Sequence, residues 1–553
     1  MAAGIADSSL KSPARLQQHL RSVEALARAG DMKRAMQAAD EAVAQGFEHP
    51  NLLTLATYEQ INRGQFEQAL ATASRARELA PRSADALNAV GLALARLNRP
   101  REAVPAFDAA LRQEPGAAHV HFNRACAFEA MNDLTRARNA FERVIGLQPS
   151  HAEALARLAG LAAQRGDVSA ARDYAQRSLK HDPRGVAAPL ALALADIEEK
   201  KFEAALRLLA PLARDTNPSL LNRSIAQGLT ADALDGLDRC GEAFAAYTAS
   251  SATLKQLYRP MYEAPGMETS AHRIARLIAY FETTSTEDWR ARKEVSHQGP
   301  VRTHVFLVGF PRSGTTLLEQ VLDSHPDIEA MQERDCLIDA ANEFLLPEGG
   351  LDRLAALDET AAGKFRALYW QRVGEHGLSP SKPVFVDKMP LNAVLLCLVA
   401  KLFPEAKILF ALRDPRDAVL SSFRRRFGLT PQMYELLTLD GAARYYDSVM
   451  RLAVLYRAKL GLDIRDLRYE DMVGDFESEM KKVCAFLGVE WNAAMAEFAQ
   501  RARAKDVNTP SAAQVARGLY SQAVGQWRRY AVSLAPVMPL LAPWVARFFY
   551  AEN

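Results

Sequence analysis

Residues 308–316, Val308-Gly309-Phe310-Pro311-Arg312-Ser313-Gly314-Thr315-Thr316, bring two glycines, three hydroxyls and a guanidinium into nine positions. Groups of these types act together on one kind of ligand, a phosphate-like anion. Gly314 lets the backbone come close, the amides of Ser313 to Thr316 can point at the anion from a helix N-terminus, and the hydroxyls of Thr315 and Thr316 add donors. From Gly309 to Gly314 the stretch satisfies the ATP-binding register GxxxxGK[ST], but Thr315 stands where that loop needs lysine. An ordinary ATPase or phosphotransferase is thereby disfavoured. The nearest cation able to replace the lysine is Arg312, within the loop itself.

The elements that must position this loop are readable on either side. His304-Val305-Phe306-Leu307 is an apolar run before it, and Leu317-Leu318-Glu319-Gln320-Val321-Leu322 an amphipathic one after it. Strands are predicted at His304–Phe310, Pro383–Val386, Lys407–Leu412 and Ile464–Tyr469. Helices are predicted at Thr315–Ser324, Leu391–Leu402, Asp417–Phe427 and Phe476–Leu487. Such alternation predicts an α/β domain whose parallel sheet carries helices on both faces. Ligands of these sheets bind at the carboxyl ends of the strands, which makes the turn after the first strand the leading site.

The chain has 553 residues, enough for about two to four domains. Sixty-eight Lys and Arg against 66 Asp and Glu leave a net charge of +2, so no nucleic-acid partner is expected and anion recognition should be local. Cys126, Cys240, Cys336, Cys397 and Cys484 are odd in number and widely spaced, without a CxxC pair. They read as reduced thiols of a cytoplasmic protein, not as a disulfide framework or a zinc site. The opening MAAGIADSSLKSPARLQQHL lacks the charged start and apolar block of a secretory signal. The late apolar stretch Ala531–Tyr550 contains Pro536, Pro539, Pro543 and Arg547, which suits a packed amphipathic segment better than a membrane span.

In the first half, Pro81, Pro115, Pro149 and Pro183 recur at a spacing of 34, and Pro218 follows at 35. A period of this size predicts stacked helix pairs. Counted from Ala84, the unit has Gly91, Ala103, Phe107, Ala110 and Pro115 where the unit from Ala118 has Ala125, Ala137, Phe141, Val144 and Pro149. Small residues let two helices approach, the aromatic fills the space behind them, and proline ends the unit. A third unit, from Ala152, keeps Ala159, Ala171 and Pro183 but has Ala175 in the aromatic slot. The pattern resembles the tetratricopeptide repeat over about residues 16–250. A solenoid of this kind offers a concave face for a protein or peptide, or else a buttress or a homodimer contact, and the sequence leaves these open. Residues 251–300, with RPMYEAPGMETS and a bridging helix at His272–Glu282, read as a linker to a domain over 301–553.

Together the later motifs resemble the sulfotransferase family, which uses 3′-phosphoadenosine 5′-phosphosulfate; no metal is expected, since no His/Asp/Glu cluster with ligand spacing accompanies the loop. The resemblance covers roughly residues 300–530. It implies that Arg312, Ser313, Gly314, Thr315 and Thr316 hold the 5′-phosphosulfate. In Phe410-Ala411-Leu412-Arg413-Asp414-Pro415-Arg416-Asp417-Ala418-Val419-Leu420-Ser421 it assigns Arg413 and Ser421 to the 3′-phosphate. Arg425 is expected one helical turn beyond Ser421 on the same face, while at least two of Arg424, Arg425 and Arg426 are expected to form a solvated basic face. Asp323-Ser324-His325-Pro326 followed by Glu333, and Asp387-Lys388-Met389-Pro390, resemble the protein-tyrosine sulfotransferase branch. That branch implies Glu333 as general base and Lys388 as electrophilic partner. Independently, sulfuryl transfer needs a base at the acceptor oxygen and cations where charge develops. His325, beside Pro326, is expected to cap the preceding helix instead of acting as the base. Tyr469 is placed near the adenine. The closing segment Tyr520–Trp527 has Gly525-Gln526-Trp527 where the branch has Ser-Lys-Trp. The expected function is sulfuryl transfer to a hydroxyl, of protein tyrosine, saccharide, lipid or small molecule. The alternative is a repeat-based adaptor whose α/β half binds nucleotide without turnover.

Overall fold

The computed structural model describes residues 12–131, 133–214, 219–290, 300–425, 429–504, 518–519 and 523–551. Pro218, Arg426 and Tyr520 to Gln522 lie outside the described residues. The chain divides into two compact units, Met1–Ala195 and Asp196–Asn553. Among the described residues no helix is long and apolar enough to cross a membrane.

The first unit is all helical. Its helices include the pairs Ala84–Arg96 with Pro100–Gln113, Ala118–Ala130 with Leu134–Leu147, and Ala152–Gln164 with Val168–His181. Pro81, Pro115 and Pro149 fall in the turns between pairs, where the missing amide hydrogen breaks no helix bond. A Cβ on Gly91 would lie 2.5 Å from Phe107 Cε1, so the glycine is what allows the phenyl ring to cross between the two helices. Phe107 and Phe141 are fully buried, and burial of such a side chain stabilises by about 1.5–3 kcal/mol. Ala175 takes the same buried position in the next unit.

The second unit holds a five-stranded parallel sheet: β1 Thr303–Gly309, β2 Ile328–Met331, β3 Val384–Lys388, β4 Lys407–Leu412 and β5 Asp463–Arg468, in the order β2-β3-β1-β4-β5. The predicted strands agree to within two residues at each end; β2 is additional. Alternate residues of β1 serve opposite faces. Phe306 and Val308 join the core beneath helices Leu396–Leu402 and Leu439–Lys459, whereas Val305 and Leu307 pack with helices Thr315–Asp323 and Phe476–Leu487. With both faces covered, the strands read as continuous apolar runs.

Helices Leu220–Gly236, Cys240–Tyr262 and Ser270–Thr283 precede the sheet within this unit. Their Ala231, Leu234, Tyr247, Leu277 and Phe281 belong to the same core as Phe306 and Phe410. The helix from Cys240 continues through Pro260 to Tyr262, past the point where the repeat pattern fades. Tyr262 donates to the Leu429 carbonyl at 2.9 Å. The closing stretch packs as predicted, through Leu534, Val537, Leu541 and Trp544.

Candidate functional site

The carboxyl ends of four strands, β1, β3, β4 and β5, are in register: Leu307 faces Lys388, Gly309 faces Ala411, and Leu412 faces Arg468. The loop leaving β1 turns through Arg312 at φ 69° and Gly314 at φ 89°, both left-handed. For arginine this is an uncommon backbone state, held only where surrounding contacts enforce it. At Gly314 a Cβ would sit 2.6 Å from Tyr469 Cδ2, so the residue must be glycine on steric as well as backbone grounds. Tyr469, the first residue after β5, thus lies directly against the loop. Helix Thr315–Asp323 begins at once, leaving the amides of Gly314, Thr315 and Thr316 without intrahelical partners. The Ser313 amide differs from the sequence expectation: it donates to the Phe310 carbonyl at 3.2 Å and closes the turn.

Arg312 Nε donates to Ser421 Oγ at 3.0 Å, and Ser422 Oγ to the Pro311 carbonyl at 3.2 Å. Arg413, buried just past the end of β4, donates from Nη1 to the Arg312 carbonyl at 2.9 Å and from Nη2 to the Ala523 carbonyl at 2.5 Å. Its Nε is buried without a hydrogen-bond partner. The Arg413 guanidinium also lies 5.3 Å from the Tyr469 ring centre. Burial, with Arg425, Arg413 and Arg424 nearby, pushes the Arg312 guanidinium well below its ordinary range. Arginine remains a cation even so, so positive charge is concentrated at this loop.

One expectation about the basic run is corrected. The helix ends at Arg424, and Arg425 is its cap in extended conformation, φ −95° and ψ 137°, so it does not continue the face of Ser421. Its amide turns to the Ser422 carbonyl at 3.3 Å, which tightens and ends the helix. Of the three arginines, Arg424 is the one that leaves the solvated face expected for at least two of them, while Arg425 is exposed and Arg426 lies outside the described residues. Arg424 pairs with Asp235 and lies over the rings of Tyr247 and Tyr530 at 5.1 and 5.0 Å.

Lys388 ends β3 with no solvent exposure, and its Nζ lies 2.8 Å from Glu333 Oε1 and 3.0 Å from Glu319 Oε2. Burial alone would push the ammonium down; Glu319 and Glu333 outweigh it and hold it up. Glu319 is 1% exposed and Glu333 40%, so one carboxylate is interior and the other stands at the mouth. Burial pushes the Glu319 carboxyl up, against the pull of Lys388. His325 is held elsewhere, its Nδ1 accepting from the Asp327 amide at 3.0 Å and its Nε2 meeting the Glu490 carbonyl at 2.8 Å. It fixes the turn.

Three acidic residues here escape a reading of the sequence. Glu319 looks like the polar face of an amphipathic helix. Asp387 lies beside Lys388 and, by the pleat, faces the opposite side of the sheet, where Tyr369 Oη donates to it at 2.8 Å. Burial, with Asp335 adding, raises its carboxyl to about 7. Asp417 accepts from the Gly525 amide at 2.6 Å and the Trp527 amide at 2.8 Å, pinning the closing segment to the helix after β4. Gly525 has φ 73°, a turn that suits glycine where the branch has serine.

The sulfotransferase family model matches residues 304–493, and a tetratricopeptide-repeat model matches 58–118 and 122–186. An uncharacterized protein of Aquifex aeolicus (strain VF5) is 26% identical over 280 residues, 48% of this chain and 35% of that protein. The protein-tyrosine sulfotransferase of Drosophila melanogaster is 27% identical over 238 residues, 41% of this chain and 45% of the relative. Protein-tyrosine sulfotransferase 1 of Danio rerio is 26% identical over 258 residues, 44% of this chain and 72% of the relative. The chain therefore spans less than half the length of two of these relatives. The chain thus combines a match to tetratricopeptide repeats with a later match, within the α/β unit, to the sulfotransferase family.

Proposed function

We propose that this chain transfers a sulfuryl group from 3′-phosphoadenosine 5′-phosphosulfate to a hydroxyl, with residues 301–553 as the catalytic domain behind repeats over 16–250. The observation that carries the reading is the meeting of Lys388 and Glu333 at 2.8 Å at the end of β3, with the crowded guanidinium groups of Arg312 and Arg413 following the adjacent strands β1 and β4. The partnerless Nε of buried Arg413 and the free amides at the start of helix Thr315–Asp323 suit a ligand with two anionic groups. Arg312, Ser313, Gly314, Thr315 and Thr316 would hold the 5′ group, with Ser313 contributing through its hydroxyl. Arg413, Ser421 and Arg425 would hold the 3′-phosphate, and Tyr469 would stand beside the base.

The donor supplies an activated sulfuryl group on a phosphate leaving group. Within this chain, Glu333 takes the acceptor proton, its exposure giving an incoming hydroxyl access. Lys388 and Arg312 stabilise the negative charge that builds on the transferring and leaving oxygens, in a setting where burial strengthens their fields. No metal is assigned a role.

Protein tyrosine is the acceptor to test first, because two relatives bear that activity in their names and the repeats supply a surface suited to an extended peptide. Five free thiols, three of them buried, suit a reducing compartment, and we infer the cytoplasm. The purified chain, incubated with isotopically labelled donor and separate pools of tyrosine peptides, saccharides and phenols, should label one pool. Binding of 3′,5′-bisphosphoadenosine without labelling of any pool would favour the adaptor instead. Stabilisation by ATP with magnesium but not by the bisphosphate would overturn the nucleotide assignment.

A further inference from the structure

We infer that Glu319 positions Lys388, serving as the counter-ion that keeps the ammonium in place at the end of β3 while Glu333 exchanges its proton. The inference rests on the reading of Glu333 and Lys388 as the reacting pair. A buried ammonium needs an anion, and removal of its partner is far costlier than the pair's net worth. Two carboxylates lie within 3.0 Å of Lys388 Nζ. Glu333, at the mouth, loses its charge when it takes a proton, so its hold on Lys388 weakens in the very step that uses the cation. Glu319 has no such route to solvent. Its Oε1 accepts from Gln320 Nε2 at 2.9 Å, and its Oε2 lies 3.0 Å from Lys388 Nζ.

Position adds a second consequence. Glu319 sits one turn into helix Thr315–Asp323, four residues after Thr315, so the helix that carries the anion loop also anchors Lys388. Two cationic groups from different strand ends are thereby set by one rigid element. The charged and polar groups facing Glu319 are Lys388 from β3, Glu333 from the segment after β2, and the Gln320 amide from its own helix.

The test is a double-mutant cycle in the full chain, with Glu319→Gln, Lys388→Met and both together. Glu319→Gln should lower kcat by about 10–100-fold with the KM for donor changed less than about threefold. In the Lys388→Met background the same change should cost less than about twofold, and Glu319→Asp should recover part of the loss. Multiplicative losses in the double variant, or no recovery in Glu319→Asp, would overturn the inference. Thermal unfolding of the same four proteins gives a readout independent of turnover. Less-than-additive Tm losses support the pairing and additive ones reject it, even if the wild-type chain transfers no sulfuryl group and the sulfotransferase reading falls. Should Glu319→Gln fail to fold, the double variant, with both charges removed, and Glu319→Asp still decide the question.

Discussion

Arg312 Nε donates to Ser421 Oγ at 3.0 Å, so two motifs 109 residues apart in the chain meet through one hydrogen bond. The contact ties the loop after β1 to the helix after β4, across neighbouring strands of the sheet. It also holds Arg312 in its left-handed backbone state, since Arg413 grips the same residue by its carbonyl. Ser421→Ala removes both a proposed phosphate contact and the acceptor that orients Arg312. A hydrogen bond to a charged group contributes about 1.5–3 kcal/mol, so the Kd for 3′,5′-bisphosphoadenosine should rise about 10–100-fold. Calorimetric titration measures it, and an unchanged Kd would take Ser421 out of the site.

Glu333→Gln keeps the side-chain shape and one acceptor for Lys388 while abolishing the base. Turnover should fall by about two to four powers of ten. Bisphosphate affinity should stay within about threefold, because Glu333 is assigned to the acceptor side. Single-turnover rates with labelled donor separate the two effects; a variant with wild-type turnover would assign the proton to another group.

The contrast between these residues and Glu319 shows what a sequence can display. The anion loop is legible because glycine, hydroxyl and arginine types are forced by backbone approach and charge. β1, β3 and β4 are legible because burial on both faces makes them apolar runs, whereas β2, Ile328-Glu329-Ala330-Met331, is a short edge strand with a polar residue inside it. The repeats are legible because Gly91 and Phe107 need each other at a fixed spacing. Arg425 is misplaced by periodicity because no residue type announces that the helix stops at Arg424; there the chain turns without glycine or proline. Arg424 and Glu319 find their partners, Asp235 and Lys388, far along the chain. Only tertiary structure identifies such pairs, and an isolated charge in an amphipathic pattern reads as solvated.

Asp387 makes a pH-dependent contribution of determinate sign. Burial raises its carboxyl from an ordinary 3.8 to about 7 in the folded chain, so the native state holds this proton more tightly than the unfolded state does. Stability from this group is therefore present at low pH and is lost as pH rises from about 4 to about 7. Asp387→Asn, which can still accept from Tyr369, should flatten that decline and be more stable than wild type at pH 8 relative to pH 5. Urea midpoints across this range provide the comparison. Parallel curves for the two proteins would show that Asp387 does not titrate in this window.

Asp235 connects the helix Leu220–Gly236 to the proposed 3′-phosphate helix. Its carboxylate pairs with Arg424 and accepts from Arg529 Nη1 at 2.8 Å and Tyr530 Oη at 2.6 Å, while its carbonyl takes Arg529 Nη2 at 2.8 Å. Arg424, 18% exposed, is the last residue of the helix that carries Ser421. Asp235→Ala would strand that guanidinium between two tyrosine rings, at a cost of about 3 kcal/mol in stability. The loosened helix end should also weaken bisphosphate binding, by about 0.5–2 kcal/mol if the coupling follows other packed networks. Urea denaturation reads the first effect and titration well below the unfolding temperature the second. A variant that loses stability but binds the bisphosphate as wild type does would make Asp235 a support of the fold alone. Weakening of both would mean that the helices before the sheet take part in setting the nucleotide site.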